Sequence, residues 1–200
     1  MTRAVWNTLL EEARKVHAAH PDLRAFCDFP QDLDPMPVAR HPVPPADLLA
    51  AETGLHSPDY GPLRDAFCAA GPHAHWRETY KDTAIGQDFM DRFGCFALIG
   101  PEGGFASAVI RAWVVYMPAH LYYPWHHHPA EEIYLVLAGS ARFMRQGSAD
   151  RILGAGATSL HAGNQPHAME TTDHPVMALV LWRNGFESPP VLTDGIDPAG

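Results

Sequence analysis

The sequence contains few positively charged residues: Lys and Arg total 14 against 23 Asp and Glu, which gives a net charge of −9. A protein that binds the phosphate backbone of a nucleic acid needs a basic face, so this balance argues against that class. The three cysteines match no zinc or redox spacing, which favours reduced thiols. Apolar runs are too short to span a membrane, and no signal-peptide pattern is visible. We therefore expect a cytoplasmic protein whose partners include neither nucleic acid nor membrane.

The composition is that of a folded chain with an unusual amount of histidine. Apolar residues make up 46% of the 200 residues and charged residues 18%, which excludes a disordered protein. A chain of this length predicts one domain whose core needs no disulfides. Because 13 residues are histidine, the composition favours a functional site that contains imidazoles.

The first half of the chain, residues 1–94, has helical and proline-rich patterns. Apolar residues recur at helical spacing in four stretches, 5–18, 47–53, 63–70 and 85–92. The prolines between Pro30 and Pro45 exclude regular structure and predict a linker or a surface arm. We expect residues 1–94 to form a helical N-terminal extension packed on the second half, and the sequence leaves open whether this extension also mediates a homodimer.

The second half, residues 95–200, consists of short apolar runs separated by turns that contain glycine. These runs lie at 95–99, 107–117, 132–138, 141–144, 157–160 and 175–182. Short strands without intervening helices are typical of an antiparallel sandwich or barrel. The chain is therefore predicted to be mainly β after its helical extension.

Histidines and a glutamate lie close together at the start of one predicted strand. In an extended segment His126 and His128 project to one face, whereas His127 points away. Glu132 opens the next strand. Two imidazoles and a carboxylate that converge inside a barrel suit a divalent ion such as zinc, iron or manganese.

The simpler interpretation is that these histidines lie in a polar surface turn, as a His-x-His pair usually does. The offset of Glu132 is what favours a metal site. A further ligand should come from a later strand, and His167 is the best candidate. We expect His120 and His161 to be neighbours of the site rather than ligands.

Two patterns in the second half resemble the cupin motifs. The first is His126-x-His128-x3-Glu132-x6-Gly139, and the second pairs Gly156 with His167. This resemblance covers about residues 114–181 and implies a cupin (double-stranded β-helix) barrel. It also implies four metal ligands, which are His126, His128, Glu132 and His167.

Three residues depart from the cupin motifs. His120 stands where the first motif begins with glycine, and Ala162 and Asn164 replace the proline and glycine of the second. These departures affect the turns and leave the ligand set complete.

A narrower resemblance is to the cupin dimethylsulfoniopropionate (DMSP) lyases of the Q type. It is carried by Tyr122-Tyr123-Pro124, by Tyr134 two residues after Glu132, and by the helical extension. Members of that family cleave DMSP to dimethyl sulfide and acrylate. The resemblance implies a carbon–sulfur lyase with a small-molecule substrate and one divalent transition metal, namely Zn, Fe, Mn, Co or Ni. It further implies that Tyr134 acts as the base and that Tyr123 lines the site.

The chemistry of β-elimination fits these residues. The phenol of a free tyrosine has a pKa of about 10, and a nearby dication lowers it. Tyr134 shares a strand face with Glu132, and Tyr123 is a second candidate for the base or for a substrate clamp. A sulfonium cation has no hydrogen-bond donor, so aromatic faces are its natural partners. The candidates for this contact are Tyr122, Tyr123, Trp125, Phe143 and Trp182, although strand aromatics are more often core residues.

Two other functions stay open at this point. One is a different metallocupin enzyme, such as a dioxygenase, which would need ferrous iron and oxygen. The other is a non-catalytic cupin that binds a small molecule. No helix-turn-helix pattern with a basic recognition segment supports a DNA-binding regulator.

Overall fold

The computed structural model describes residues 2–194, so residues 195–200 of the predicted β domain lie outside the described part of the chain. The helices in this part are α1 (Thr2–Ala19), α2 (Pro21–Phe26), α3 (Pro44–Ala51), α4 (Gly61–Ala70) and α5 (Gln87–Arg92). The strands are β1 (Asp34–Pro35), β2 (Gly94–Ile99), β3 (Phe105–Ala106), β4 (Arg111–Met117), β5 (Tyr122–His127), β6 (Glu131–Arg145), β7 (Arg151–Gly154), β8 (Thr158–His161), β9 (His167–Glu170), β10 (Val176–Arg183) and β11 (Val191–Leu192). Of the helices in residues 2–194, none has both the length and the apolar character needed to cross a membrane.

The strands form two layers that are joined through β6. Residues 131–139 of β6 pair with β10, and β10 continues the sheet to β4, β2, β3 and β1. Residues 140–145 of β6 pair with β7 and β9, and β9 continues to β5 and β11. Because one strand belongs to both layers, the sheet curves into a barrel. The predicted mainly β fold with a helical N-terminal extension is confirmed.

The central strands are apolar on both faces because each face is covered. In β10 the alternate residues Ala178, Val180 and Trp182 belong to the core between the layers. Their neighbours Met177, Leu179 and Leu181 belong to a second core beneath the helices. Burial on both faces explains why the sequence shows a continuous apolar run at 176–182 rather than an alternation.

The helices lie on the outer face of the first layer. The buried face of α1 consists of Trp6, Leu9, Ala13 and His17. Trp6 and Phe67 of α4 both pack edge-to-face on Phe96 of β2, with ring centroids 6.2 and 6.3 Å apart. The extension and the barrel thus share one core, and a boundary at residue 94 stays a prediction.

The proline-rich segment is a surface arm rather than a linker. Asp34–Pro35 pairs with β3, and the Met36 N–H donates a hydrogen bond to the Gly104 carbonyl at 2.9 Å. Helix α3 begins at Pro44, three residues before the predicted start at Asp47. Proline suits the first turn of a helix, where its missing N–H costs no hydrogen bond.

Two predicted strands, 132–138 and 141–144, are a single strand in the structure. The glycine-containing sequence between them indicated a turn, whereas it is a bend within β6. Gly139 has a φ of +70° there, and a Cβ on it would lie 1.7 Å from the carbonyl oxygen of Pro175. This close approach explains why this chain needs glycine at position 139.

Two of the three departures from the cupin motifs, His120 and Asn164, keep the backbone conformation that glycine provides. His120 and Asn164 have φ values of +58° and +59°, which is the left-handed region. Histidine and asparagine enter this region more readily than most residues with a side chain. The turns therefore persist despite the substitutions.

Replacing Gly139 with alanine should lower the free energy of unfolding by about 3 kcal/mol or more, because the new methyl group overlaps the Pro175 carbonyl. The matched control is Gly147→Ala: Gly147 also has positive φ, at +82°, but no atom would lie within 4 Å of its Cβ. The control should lose only about 1 kcal/mol to backbone strain. Urea unfolding followed by circular dichroism measures both values. Equal losses would show that the contact with Pro175 is not what requires glycine.

Candidate metal centre and active site

Cross-strand pairing brings the predicted ligands together from separate strands. His126 of β5 lies opposite His167 of β9. Glu132 of β6 lies between Trp182 of β10 on one side and His161 of β8 on the other. Directly paired residues hold their side chains about 5 Å apart, so the strand register assembles the site. The predicted ligands are all buried and expose 2% or less of their surface, namely His126, His128, Glu132 and His167.

The three predicted ligand histidines are oriented by the same kind of hydrogen bond. In each of them Nδ1 lies 2.8–3.0 Å from a backbone carbonyl oxygen two residues away; the pairs are His126 with Pro124, His128 with Ala130, and His167 with Gln165. A carbonyl oxygen can only accept, so Nδ1 carries the proton. The Nε2 atom is then left with a free lone pair, which is the form that a metal ion requires.

Two of these lone pairs have nothing to bind among residues 2–194. The Nε2 atoms of His128 and His167 are buried and have no hydrogen-bond partner there. They lie 3.5 and 3.1 Å from the carboxylate oxygens of Glu132, without hydrogen-bond geometry. Buried polar atoms without partners are costly, so the site is built for a further group.

His128, Glu132 and His167 can hold a metal ion together. Their ligand atoms lie within 4.8 Å of one another, and all three residues are buried. His126 lies beside this group and outside it: its ring centroid is 4.1 Å from that of His167 and 6.5 Å from that of His128. The structure thus brings three of the four predicted ligands to one point and places the fourth next to them.

Both oxygens of the Glu132 carboxylate are held by donors. The indole N–H of Trp182 donates to Oε1 at 2.6 Å, and Nδ1 of His161 donates to Oε2 at 2.7 Å. The other ring nitrogen of His161 lies 2.9 Å from the hydroxyl of Ser159. His161 is therefore a hydrogen-bond partner of the predicted ligand. Such outer partners fix the orientation of a metal-binding carboxylate.

The ionisation states at the site suit a cation. Burial alone would raise the pKa of Glu132, but its interactions with His128 and His167 hold that pKa well below its ordinary value. Burial lowers the pKa of His126 well below its ordinary value and that of His161 to about 4. At neutral pH the carboxylate is thus ionised while these two imidazoles are neutral.

A cavity with a volume of about 40 Å³ opens beside the ligand group. Tyr134 and Tyr123 both line it, and Tyr134 lies on the same face of β6 as Glu132, as the alternation of that strand predicted. The ring of Tyr123 stacks on His126 with centroids 3.9 Å apart. Burial raises the pKa of each phenol well above its ordinary value. Both phenols are therefore protonated when no cation is bound nearby.

Only some of the aromatic residues predicted to contact a substrate line the cavity. Trp182 and Tyr123 line the cavity. Tyr122 is 38% exposed, Trp125 is half-buried, and neither belongs to the cavity lining. The pairing of β5 is irregular between Tyr123 and His126, which lets both face inward although they are three residues apart.

Part of the cavity wall comes from residues that no sequence pattern indicated. Arg77 and Trp113 both line it, and the Arg77 guanidinium lies 4.4 Å from the centre of the Trp113 ring. The hydroxyl of Tyr80 lies 2.7 Å from that of Tyr123. Arg77 and Tyr80 belong to the N-terminal extension. No spacing within the sequence connects them to the histidines, and only the packed fold does so.

An antiparallel barrel that holds two histidines and a glutamate at one buried point defines a metal-binding cupin. Comparison with known proteins narrows this class. A family model described as dimethylsulfoniopropionate lyase matches residues 25–178. The chain belongs to the DMSP lyase family, as the sequence motifs predicted.

Individual relatives are similar over almost the whole chain. The DMSP lyase DddQ of Ruegeria pomeroyi is 50% identical over 192 residues, which cover 96% of each chain. A crystal structure of DddQ from Ruegeria pomeroyi matches with a TM-score of 0.94 at 49% identity and covers 96% of this chain and 99% of that one. A chain from the crystal structures of the DMSP lyases RdDddP and RnDddQII matches with a TM-score of 0.92 at 41% identity, covering 97% and 100%. The predicted cupin fold is confirmed.

Replacing Glu132 or His167 with alanine should reduce the metal bound to the purified protein by about tenfold or more, since loss of even an outer partner of a ligand costs about 10- to 100-fold in affinity. The control is His127→Ala. His127 lies between the ligand histidines in sequence, but its Nδ1 faces the Thr193 hydroxyl at 2.7 Å. Elemental analysis of the three variants gives the result. Unchanged metal content in both ligand variants would contradict the assignment.

Proposed function

We propose that this protein is a metal-dependent carbon–sulfur lyase that cleaves DMSP to dimethyl sulfide and acrylate by β-elimination. The observation that carries the proposal is the buried group of His128, Glu132 and His167 beside a cavity lined by Tyr134. The similarity to a DMSP lyase over 96% of the chain supports the substrate. The fold by itself would not, because cupins host many reactions.

The proposed reaction moves one proton and two electron pairs of the substrate: the pair of the broken C–H bond forms the double bond, and the pair of the broken C–S bond leaves with the sulfur. A base removes a proton from the carbon next to the substrate carboxylate, and a double bond forms between that carbon and its neighbour. The bond to sulfur breaks, its electron pair leaves with the sulfur, and neutral dimethyl sulfide departs. The first step is the difficult one, because loss of the proton adds negative charge to the carboxylate oxygens. A divalent ion in this site would stabilise that charge and lower the pKa of a neighbouring phenol.

We assign the ion to His128, Glu132 and His167, with His126 as a fourth ligand. The Nδ1 hydrogen bonds of the histidines leave each Nε2 free, and His126 shares this orientation. Nitrogen and carboxylate donors suit Zn, Fe, Mn, Co or Ni. Replacing His126 with alanine should therefore lower the amount of bound metal. The decrease should be smaller than the one caused by replacing His128, Glu132 or His167.

Tyr134 is the proposed base. Its phenol is buried in the cavity lining, two residues after Glu132 on the same strand face. Burial and the Glu132 carboxylate raise its pKa, so its oxygen can accept a proton only when positive charge is present nearby. The adjacent ligand group is the place where such charge would be bound. Tyr123 is the second candidate for the base or for a hydrogen bond to the substrate.

The dimethylsulfonium group needs an aromatic wall rather than hydrogen-bond donors. Trp182 and Tyr123 provide aromatic rings in the cavity lining, and Trp113 adds one that was not predicted. The rings of Trp113 and Trp182 pack edge-to-face with centroids 5.7 Å apart. Substrate contacts of Tyr122 and Trp125 stay predictions that their positions outside the lining do not favour.

We also propose that the protein acts in the cytoplasm. Its three cysteines, Cys27, Cys68 and Cys95, are free thiols, which is typical of a reducing compartment. A homodimer formed through the N-terminal extension and a domain boundary at residue 94 are likewise proposals. Sedimentation analysis of the full chain would test the dimer.

The purified wild-type protein should release dimethyl sulfide from DMSP with one acrylate for each dimethyl sulfide. Removal of the metal by a chelator should abolish the release, and adding back a divalent ion should restore it. Headspace gas chromatography and elemental analysis of the same sample measure both. Release should be equal with and without oxygen, because β-elimination consumes none. Activity that depends on oxygen would favour a dioxygenase instead.

Replacing Tyr134 with phenylalanine should retain the bound metal and reduce dimethyl sulfide release by about 100-fold or more, since a positioned base contributes about 10²- to 10⁴-fold. The control is Tyr116→Phe. Tyr116 is a buried tyrosine of the other core, whose hydroxyl bonds to Glu52 at 3.0 Å. If Tyr134→Phe turned over DMSP as fast as this control, Tyr134 would not be the base.

A further inference from the structure

Two buried phenols meet at the edge of the active-site cavity. The hydroxyl oxygens of Tyr80 and Tyr123 are 2.7 Å apart, and the two residues are only 2% and 5% exposed. Tyr123 lines the cavity, whereas Tyr80 does not belong to that lining. Tyr80 belongs to the segment between α4 and α5 of the N-terminal extension. Its hydroxyl is connected to the cavity through the hydroxyl of Tyr123.

The rings of both residues are fixed by their neighbours. The ring of Tyr80 packs edge-to-face on Phe89 and on Tyr123, with centroids 6.1 and 5.8 Å apart. The ring of Tyr123 stacks on His126 at 3.9 Å, with only 10° between the two planes. Because the rings are held, the freedom that remains is the rotation of the two O–H bonds.

A pair of phenols can be hydrogen-bonded in two ways. Each neutral phenol has one proton and two acceptor lone pairs, and only one proton can lie between the two oxygens. If Tyr123 donates, its proton lies between the two phenol oxygens and cannot form a hydrogen bond with a molecule in the cavity. If Tyr80 donates, the proton of Tyr123 is free to point into the cavity. A carboxylate of a substrate has only acceptor atoms, so its presence selects the second arrangement.

We infer that Tyr80 is a positioning residue: it donates its hydrogen bond to the hydroxyl oxygen of Tyr123, so that the Tyr123 O–H donates to the carboxylate of the bound molecule. This inference rests on the proposed function, because DMSP and acrylate both carry a carboxylate. If it is right, a residue of the N-terminal extension positions a substrate-binding residue of the barrel.

A double-mutant cycle tests whether Tyr80 acts through Tyr123. Tyr80→Phe keeps the packed ring and removes only the hydroxyl, and Tyr123→Phe does the same for its partner. Tyr116→Phe is the matched control, since it deletes the hydroxyl of a buried tyrosine that bonds to Glu52 in the other core. Each variant and the double variant are first compared with the wild type by thermal unfolding.

The measured quantities are the Kd of acrylate by calorimetry and the KM and kcat for DMSP. Tyr80→Phe should weaken acrylate binding and raise KM by about three- to tenfold, the range of one neutral hydrogen bond. In the Tyr123→Phe background the same substitution should add no further loss, because residues that act as one unit are not additive. Tyr116→Phe should bind acrylate as the wild type does.

Three results would overturn the inference: wild-type behaviour of Tyr80→Phe, additive losses in the double variant, or a wild-type protein that does not bind acrylate. Additive losses would mean that the Tyr80 hydroxyl acts independently of Tyr123. A wild-type protein that binds acrylate without cleaving DMSP would remove the proposed function instead. The cycle in acrylate affinity would still decide the role of Tyr80 in that case.

Discussion

The buried carboxylate of Glu132 is the constraint on which the site depends. A charged group that is 1% exposed is strongly unfavourable unless donors or positive charge surround it. Trp182 and His161 donate to its two oxygens from the strands on either side, and the Nε2 atoms of His128 and His167 lie close to it. The interior of the barrel is thus polar at one point within an apolar core, and that point is suited to a cation.

Much of the ligand group could be predicted from the sequence, because its residues are close together in the chain. His126, His128 and Glu132 lie within seven residues, where the geometry of a strand, a turn and a second strand limits their relative positions. The same local geometry placed Tyr134 on the inner face of β6. Only His167 is remote: it is a candidate because a further ligand should come from a later strand, and the spacing of the second cupin motif supports it.

The remaining site residues could not be predicted, because they depend on long-range packing. Nothing near Tyr80 or Arg77 in the sequence indicates that the extension forms part of the cavity wall. The different positions of Tyr122 and Tyr123 have another reason: adjacent strand residues face opposite sides, and an irregularity in β5 decides which of them faces inward. Similarly, the sequence at Gly139 indicates a turn, because a glycine does not by itself distinguish a turn from a bend in a continuous strand.

The sharing of β6 between the two layers links ion binding to the cohesion of the whole molecule. One half of this strand carries Glu132, and the other half pairs with β9, which carries His167. Neither layer can separate from the other without disturbing the residues to which we assign the ion. Binding of a cation there would therefore be linked to global unfolding, because the bound ion would stabilise both sheets at once.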